Sequence, residues 1–248
     1  MAIHRAFCYQ FLSLAFSYPE EGTLTTLEAG LADLVESLRA LAVSYDAARL
    51  QPALREARER LLDHQGEYNA LFATALKAPS WETAYEIDKT ARRATELADI
   101  QGFYRAFGLA LCAPVEADNL VTELEFLSLL QQKKHYALRE RNGEGAEVCE
   151  DAYQKFLADH LGRWHEAFLH RLTEAAEEEY YREIGLLLNA VLNSEMAGLH
   201  RTIRRLAKPA AEPLEENTWP CEPCAPCLPD PGSSAPRQAQ RRGGTSLP

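Results

Sequence analysis

The chain has 248 residues, of which 46% are hydrophobic and 25% are charged, and its formal net charge is −11. These values are typical of a water-soluble globular protein that is long enough to bury a hydrophobic core. The excess of acidic residues disfavours binding to nucleic acid or to an anionic membrane surface, and it favours a basic partner.

The hydrophobic pattern predicts one helix after another from the first residue to about residue 206. The first helix is amphipathic and has His4, Arg5 and Gln10 among its apolar residues, so we interpret it as a buried helix and not as an export signal. Six further helices are expected over residues 23–43, 51–75, 96–111, 118–130, 148–176 and 179–206. No stretch alternates with a period of two over the length of a strand. The sequence therefore predicts an all-α globular bundle of about seven helices.

Residues 96–130 organise this bundle as a helix hairpin that is broken near Pro114. Gly102 and Gly108 interrupt the first helix of the hairpin, which indicates either that another backbone passes close by or that a defect is tolerated. Asp118 is a plausible N-cap for the second helix. The apolar stripes of the two helices are formed by Leu97, Ile100, Tyr104, Phe107 and Leu111, and by Leu120, Leu124, Leu127 and Leu130. The junction between the helices carries a polar cluster formed by Glu116, Asp118, Asn119 and Glu123.

The composition changes at Lys208. Residues 208–248 are rich in Pro, Gly, Ser and Arg and have few large apolar residues, so we expect a disordered tail after a helical domain of residues 1–207. Within the tail, Cys221, Cys224 and Cys227 have the spacing of thiolate metal ligands, but no fourth ligand lies nearby. A metal or redox carrier and a tail with incidental thiols both stay open. The other cysteines, Cys8, Cys112 and Cys149, are predicted to be core residues in a reducing compartment.

Catalytic motifs are absent from the sequence. It has no Walker-type phosphate loop, no glycine-rich dinucleotide fingerprint and no Gly-x-Ser-x-Gly elbow. The nearest approach to a zinc site is His165 and His170, but five helical steps place the two rings roughly 140° apart. The longest apolar run, residues 184–192, is too short to span a bilayer. We therefore expect a cytoplasmic protein that is not an enzyme and has no stable membrane insertion.

Aromatic residues flank a loop that contains a proline. Tyr68 and Phe72 precede this loop, and Pro79, Trp81 and Tyr85 lie within it. Tyr and Trp offer large, rather rigid contact areas and serve well as anchors for peptides. Inward packing is an equally good interpretation of each residue taken singly. Together with the polar cluster at the helix junction, these residues predict a peptide-binding surface.

Several segments carry a family resemblance. They are Tyr68-Asn-Ala-Leu-Phe72, Pro79-Ser-Trp-Glu-Thr-Ala-Tyr85, residues 96–109, and Glu116-Ala-Asp-Asn-Leu-Val-Thr-Glu-Leu-Glu-Phe-Leu127. Residues 1–207 thereby resemble the TorD/DmsD/NarJ family, the cytoplasmic chaperones that mature molybdenum enzymes of the dimethyl sulfoxide reductase type. In the last segment this chain has Ala117 and Asn119 where the family usually has proline and histidine, so position 119 has no titratable ring.

The resemblance implies a chaperone that binds the apo catalytic subunit of a molybdoenzyme and its twin-arginine signal peptide until the cofactor is inserted. It implies no cofactor of the chaperone's own, and contact only with the molybdopterin guanine dinucleotide of the client. Asp118 and Glu123 are the candidates for the cationic end of the peptide, because contacts between arginine and carboxylate can be bidentate and charge-assisted. Tyr68, Phe72, Trp81 and Tyr85 are the candidates for its apolar end. A homo-oligomer and a nucleotide-dependent enzyme stay open.

Overall fold

Helices make up most of the computed structural model, which describes residues 1–85, 89–110 and 117–206, the first four residues of the second range by backbone alone. These ranges hold ten α-helices and no β-strand, so the prediction of an all-α fold is confirmed. The helices are α1 (Ala2–Ala15), α2 (Glu21–Ala29), α3 (Leu31–Ala40), α4 (Leu50–Glu59), α5 (Leu61–Tyr68), α6 (Lys89–Ala106), α7 (Leu120–Arg139), α8 (Gly143–Asp159), α9 (Leu161–Ala175) and α10 (Glu179–Ala197).

The helix count exceeds the predicted seven because three of the predicted helices are each split in two. The breaks lie at Gly30, Arg60 and His160. Arg60 and His160 have backbone angles outside the helical region, although neither is a glycine or precedes a proline. At His160 the chain can turn tightly because Gly162 follows: a Cβ at Gly162 would lie 2.4 Å from the carbonyl oxygen of Leu157.

Helix α7 is the central helix, because it packs along both α1 and α8. The predicted stripe of Leu120, Leu124, Leu127 and Leu130 is fully buried there. Burial of a leucine side chain contributes about 1.5–3 kcal/mol, so this stripe is a main source of stability. Helix α10 packs against α9 and α4, and it also contacts α1.

A buried polar network ties three of the helices together. Arg5 of α1 donates from Nε to both carboxylate oxygens of Glu195 of α10, at 2.8 and 2.7 Å. The hydroxyl of Tyr153 of α8 donates to the same carboxylate at 2.9 Å, and it shares a 2.8 Å hydrogen bond with the hydroxyl of Tyr9. Because the charges are paired and hydrogen-bonded, the network fixes how α1, α8 and α10 pack without leaving a bare buried charge.

The two glycines of the hairpin have different roles. Gly108 lies just beyond the end of α6 with a φ of 77°, a left-handed conformation that glycine adopts without steric cost. No atom of the described residues lies within 4 Å of a Cβ built on Gly102. The interpretation that another backbone passes close to this glycine is therefore wrong for the described residues.

Several predicted features lie outside the described residues. These are the tail of residues 208–248 with Cys221, Cys224 and Cys227, and also Cys112, Pro114 and Glu116. Within the described ranges, none of the helices combines the length and the apolar character that crossing a membrane requires.

Candidate functional site

Residues 78–85 form a segment that we call the strap, which crosses the N-terminal end of α7. Trp81 and Asn119 form an isolated antiparallel β-bridge. The Leu120 amide donates to the carbonyl oxygen of Ser80 at 2.7 Å, and the Glu82 amide donates to that of Asp118 at 3.0 Å. The strap is therefore joined by main-chain hydrogen bonds to the residues that lead into α7.

Asp118 lies beneath the strap and holds it. Its Oδ2 accepts hydrogen bonds from the Thr83 amide at 3.0 Å and from the Thr83 hydroxyl at 2.7 Å, and the residue is fully buried. Its Oδ1 has no hydrogen-bond partner among the described residues. The N-cap of α7 is Asn119, whose Oδ1 accepts from the Val121 amide at 3.0 Å, so the prediction of Asp118 as the cap was wrong. The carboxylate of Asp118 caps the strap and not the helix.

Glu123 lies one turn further along α7 and is also fully buried. Its Oε2 accepts a hydrogen bond from the indole nitrogen of Trp164 at 3.2 Å, while its Oε1 has no hydrogen-bond partner in the part of the chain that the structure describes. Burial, and then the negative charge of Glu82, raises the pKa of Glu123 well above its usual range. Folding therefore shifts this carboxyl towards its neutral form relative to an exposed glutamate.

A charged edge borders the strap where α6 faces the turn between α8 and α9. We call it the acidic edge, and it consists of Glu82, Glu96 and Asp99 with two basic residues between them. His160 places Nδ1 3.1 Å from Glu82 Oε2 and Nε2 3.3 Å from Asp99 Oδ2. Arg163 donates from Nη1 to Glu82 Oε1 at 3.2 Å and to Glu96 Oε2 at 3.3 Å. The side chains of Glu96 and Asp99 are 19% and 55% exposed, so solvent reaches this edge.

The acidic edge is suited to a guanidinium. Glu82, Glu96 and His160 each place one potential metal ligand atom within 4.8 Å of the others. However, Arg163 already donates to both carboxylates, so a guanidinium fills the position that a cation would take. Burial raises the pKa of Glu82, and the hydrogen bond and charge of His160, followed by the charge of Arg163, oppose that increase.

The predicted aromatic residues fall into two neighbouring groups. Tyr85 is buried, stacks on Trp164 at 5.5 Å between ring centroids, and donates from its hydroxyl to the carbonyl oxygen of Pro79 at 2.7 Å. Phe72 is also buried and contacts Phe168, which in turn contacts Trp164.

Tyr68 packs edge-on against Phe72 and Tyr18 and is half-buried. Trp81 is half-buried, whereas Pro79 is buried. The structure thus brings Pro79, Trp81, Tyr85, Asp118, Asn119 and Glu123 together around the strap, places Tyr68 and Phe72 beyond the ring of Phe168, and leaves Glu116 undescribed.

The acidic edge is the part of the site that was missed. Glu96 and Asp99 are three residues apart on α6, and His160 and Arg163 are three residues apart across the turn before α9. The i,i+3 spacing puts each pair on one side of its segment, and this signal could have been recognised in the sequence. The sequence could not show that these two pairs contact each other, because Glu82, which contacts both His160 and Arg163, lies on a third segment, the strap.

Comparison with known proteins places the chain. The profile of the nitrate reductase delta subunit family matches residues 25–170. The chain belongs to that family, which confirms the resemblance to the TorD/DmsD/NarJ group of chaperones. It is similar to a chlorate reductase assembly chaperone protein of Ideonella dechloratans, with 31% identity over 196 residues, 77% of this chain and 87% of the relative. It is also similar to a selenate reductase assembly chaperone protein of Thauera selenatis, with 41% identity over 75 residues, 29% of this chain and 38% of that protein.

Proposed function

We propose that this protein is an assembly chaperone for a molybdenum-dependent reductase of the dimethyl sulfoxide reductase type and not an enzyme. It binds the catalytic subunit in the cytoplasm and holds it by a leader with paired arginines until the cofactor is in place. The names of the two relatives, which are assembly chaperones of a chlorate and a selenate reductase, support the general role. The position of the half-buried Trp81 at the strap, next to Glu82 of the acidic edge and across from Asp118, is the structural observation that supports the leader-binding role.

An apolar anchor and acidic groups lie next to each other at the strap. Trp81 is half-buried, so part of its ring is available to an apolar segment of the client. The acidic edge is reached from the same strap, because Glu82 follows Trp81 directly. A leader that offers arginines followed by an apolar run matches this order of charge and apolar surface.

The predicted contacts Asp118 and Glu123 are a second layer in this proposal. Both are fully buried, so a client side chain reaches them only after the strap has moved. Oδ1 of Asp118 and Oε1 of Glu123, which have no partner among the residues that the structure describes, are then available as acceptors. The solvent-accessible carboxylates of Glu96 and Asp99 are available without any such change. The leader is therefore expected to contact the acidic edge first.

The test replaces Trp81 and measures binding of the client's leader. Trp81→Ala is expected to weaken binding of a synthetic twin-arginine leader peptide on the order of tenfold or more, because an interfacial tryptophan often contributes 2 kcal/mol or more. Isothermal titration calorimetry gives the affinity, and circular dichroism checks that the helical content is unchanged.

Tyr136→Ala is the matched control for this test. Tyr136 is 67% exposed on α7, about 25 Å along that helix from the strap, and its replacement is expected to leave the affinity unchanged. Equal affinities for wild type and a folded Trp81→Ala variant would refute the role of the strap. Failure to retain any reductase catalytic subunit from the native cytoplasm would refute the chaperone role itself.

In the proposed role this chain has no cofactor of its own. It contacts molybdopterin guanine dinucleotide only as a part of the client. Binding of the leader at the strap does not require a homo-oligomer. Pterin fluorescence and molybdenum should therefore be detected in the purified complex of chaperone and client, and neither should be detected in the purified chaperone alone.

A further inference from the structure

A chain of contacts joins the buried carboxyl of Glu123 to the strap. Its Oε2 accepts a hydrogen bond from the indole nitrogen of Trp164, and the ring of Trp164 stacks on that of Tyr85. The hydroxyl of Tyr85 in turn donates to the carbonyl oxygen of Pro79 at 2.7 Å. Through two side chains, Glu123 is therefore connected to residues at both ends of the strap.

Charged groups on three other segments act on this carboxyl. Glu82 of the strap and Asp118 before α7 are negative, and Arg163 of α9 is positive. Arg163 also donates to Glu82 and to Glu96, so its charge is shared with other carboxylates. Burial and the two negative groups outweigh the cation and the hydrogen bond of the indole, so the pKa of Glu123 lies well above its usual range.

The hydrogen bonding around Glu123 also favours the protonated carboxyl. Its Oε1 has no partner among the described residues. Tyr104 of α6 is a further titratable group near it, but burial raises the pKa of Tyr104, and its hydroxyl donates to the carbonyl oxygen of Ala117 at 2.7 Å. A protonated carboxyl leaves one polar group unsatisfied, whereas an ionised carboxyl would be a poorly compensated buried charge, which costs far more.

We propose that the strap is a lid that closes over the protonated Glu123, and that a client's guanidinium opens it by taking the place of this proton. A guanidinium brings a positive charge and several N–H donors, so it can satisfy the oxygens of Asp118 and Glu123 that have no partner among the described residues. The proton of Glu123 then passes to the solvent. The inference rests on the proposed function in its second half, where the guanidinium is that of the leader.

The first test uses the full chain and no client. The amides of Glu82, Thr83 and Leu120 donate hydrogen bonds across the closed strap, so their protection from hydrogen exchange reports its opening. As the pH rises above about 4.5, their protection factor, corrected for the intrinsic pH dependence of exchange, is expected to fall by up to about tenfold per pH unit until the pKa of Glu123 under the closed strap is passed. Mass spectrometry of peptides that cover residues 78–85 and 117–122 measures this protection. Glu123→Gln has no proton to lose, so its protection factor is expected not to depend on pH.

Glu125→Gln is the matched control. Glu125 lies two residues further along α7 and is exposed, so the same change of charge there is expected to keep the pH dependence of wild type. Thr83→Val removes one of the two hydrogen bonds that Asp118 accepts from the strap. It is expected to lower the protection factor at every pH and to keep its pH dependence. A wild-type strap whose protection factor does not change with pH would overturn the inference, and so would an equal fall in a folded Glu123→Gln variant.

The second test adds a synthetic twin-arginine leader peptide. Isothermal titration calorimetry in two buffers of different ionisation enthalpy counts the protons that binding releases. In the pH range where the protection of the strap still falls, wild type is expected to release about one proton per peptide, whereas Glu123→Gln should bind the peptide more weakly and release none. Binding to wild type without proton release would overturn the role of the guanidinium. A leader that does not bind at all would refute the leader-binding role, whereas a strap that is insensitive to pH would refute the lid and leave that role untouched.

Discussion

Glu123 departs from the ordinary chemistry of a surface glutamate. It is fully buried on α7, and one of its oxygens has no hydrogen-bond partner within the described ranges. Burial, and then the charge of Glu82, raises its pKa well above the usual range. A carboxyl whose pKa is raised on folding stabilises the protein below its unfolded pKa, and that contribution is lost as the pH rises toward the folded pKa.

Glu123→Gln should therefore flatten the pH dependence of stability. Glutamine resembles the neutral carboxyl in shape and keeps an acceptor for the indole of Trp164. As the pH rises above the unfolded pKa of about 4.5, the free energy of unfolding of wild type should fall relative to that of the variant by up to about 1.4 kcal/mol per pH unit until the folded pKa is passed. Urea denaturation of both proteins at several pH values measures this difference in the free energy of unfolding.

The comparison isolates Glu123 from other buried groups. Burial lowers the pKa of His64 and of His165, so these residues destabilise the fold as the pH falls below their unfolded value, in the opposite direction. They are present in both proteins and cancel in the difference. Parallel pH profiles for wild type and variant would mean that Glu123 is ionised in the folded state.

The sequence predicted the residue types of this site better than their roles. Asp118 was recognised as a carboxylate at a helix junction, but its hydrogen bonds go to Thr83 and not to the first turn of α7. A cap and a strap contact need the same short acidic side chain, and only tertiary structure separates them. Trp81 and Tyr85 illustrate the same limit, because one is half-buried and the other is buried although both are aromatic residues of one loop.

At the scale of secondary structure, the turn between α8 and α9 decides where the acidic edge lies. The apolar stripe runs through it without interruption, with Leu157, Leu161 and Trp164 all buried, and so the pattern predicted one helix over residues 148–176. The break places His160 and Arg163 beside the strap. The periodicity of apolar residues shows which side of a segment is buried. It does not reveal a turn that keeps the same side facing the core.

Gly162→Ala is expected to destabilise this turn. Its Cβ would lie 2.4 Å from the carbonyl oxygen of Leu157, which is backbone and cannot rotate away. Overpacking of this kind costs typically about 1–3 kcal/mol. The loss of stability is measured as the change in the free energy of unfolding in urea denaturation. The variant should also bind the leader peptide more weakly, because His160 shifts with the turn.

Gly66→Ala in α5 is the control for this variant. No atom of the described residues lies within 4 Å of a Cβ at that position. Replacing a helical glycine by alanine at an open site is expected to stabilise the protein by about 0.4–1 kcal/mol. If both variants changed stability in the same direction and by the same amount, the steric account of the α8–α9 turn would be wrong.

At the scale of the whole molecule, the net charge of −11 makes a prediction about the proposed binding of a basic leader. Charge acts over about 10 Å at 0.1 M ionic strength, so it should accelerate the approach of such a leader and contribute less once contact is made. Contact with Trp81, in contrast, is short-ranged and acts on dissociation. The acidic residues of the proposed site should therefore affect mainly the association rate constant, and Trp81 should affect mainly the dissociation rate constant.

The association rate constant for a twin-arginine leader peptide should fall on the order of tenfold or more between about 0.02 and 0.5 M NaCl, because screening removes the attraction between the acidic protein and the basic peptide. The dissociation rate constant should change much less. Stopped-flow fluorescence measures both. Trp81→Ala should raise the dissociation rate constant and keep the salt dependence of association, whereas Glu96→Gln with Asp99→Asn should reduce that dependence. Salt-independent association of wild type would show that the negative charge of the molecule does not guide its partner.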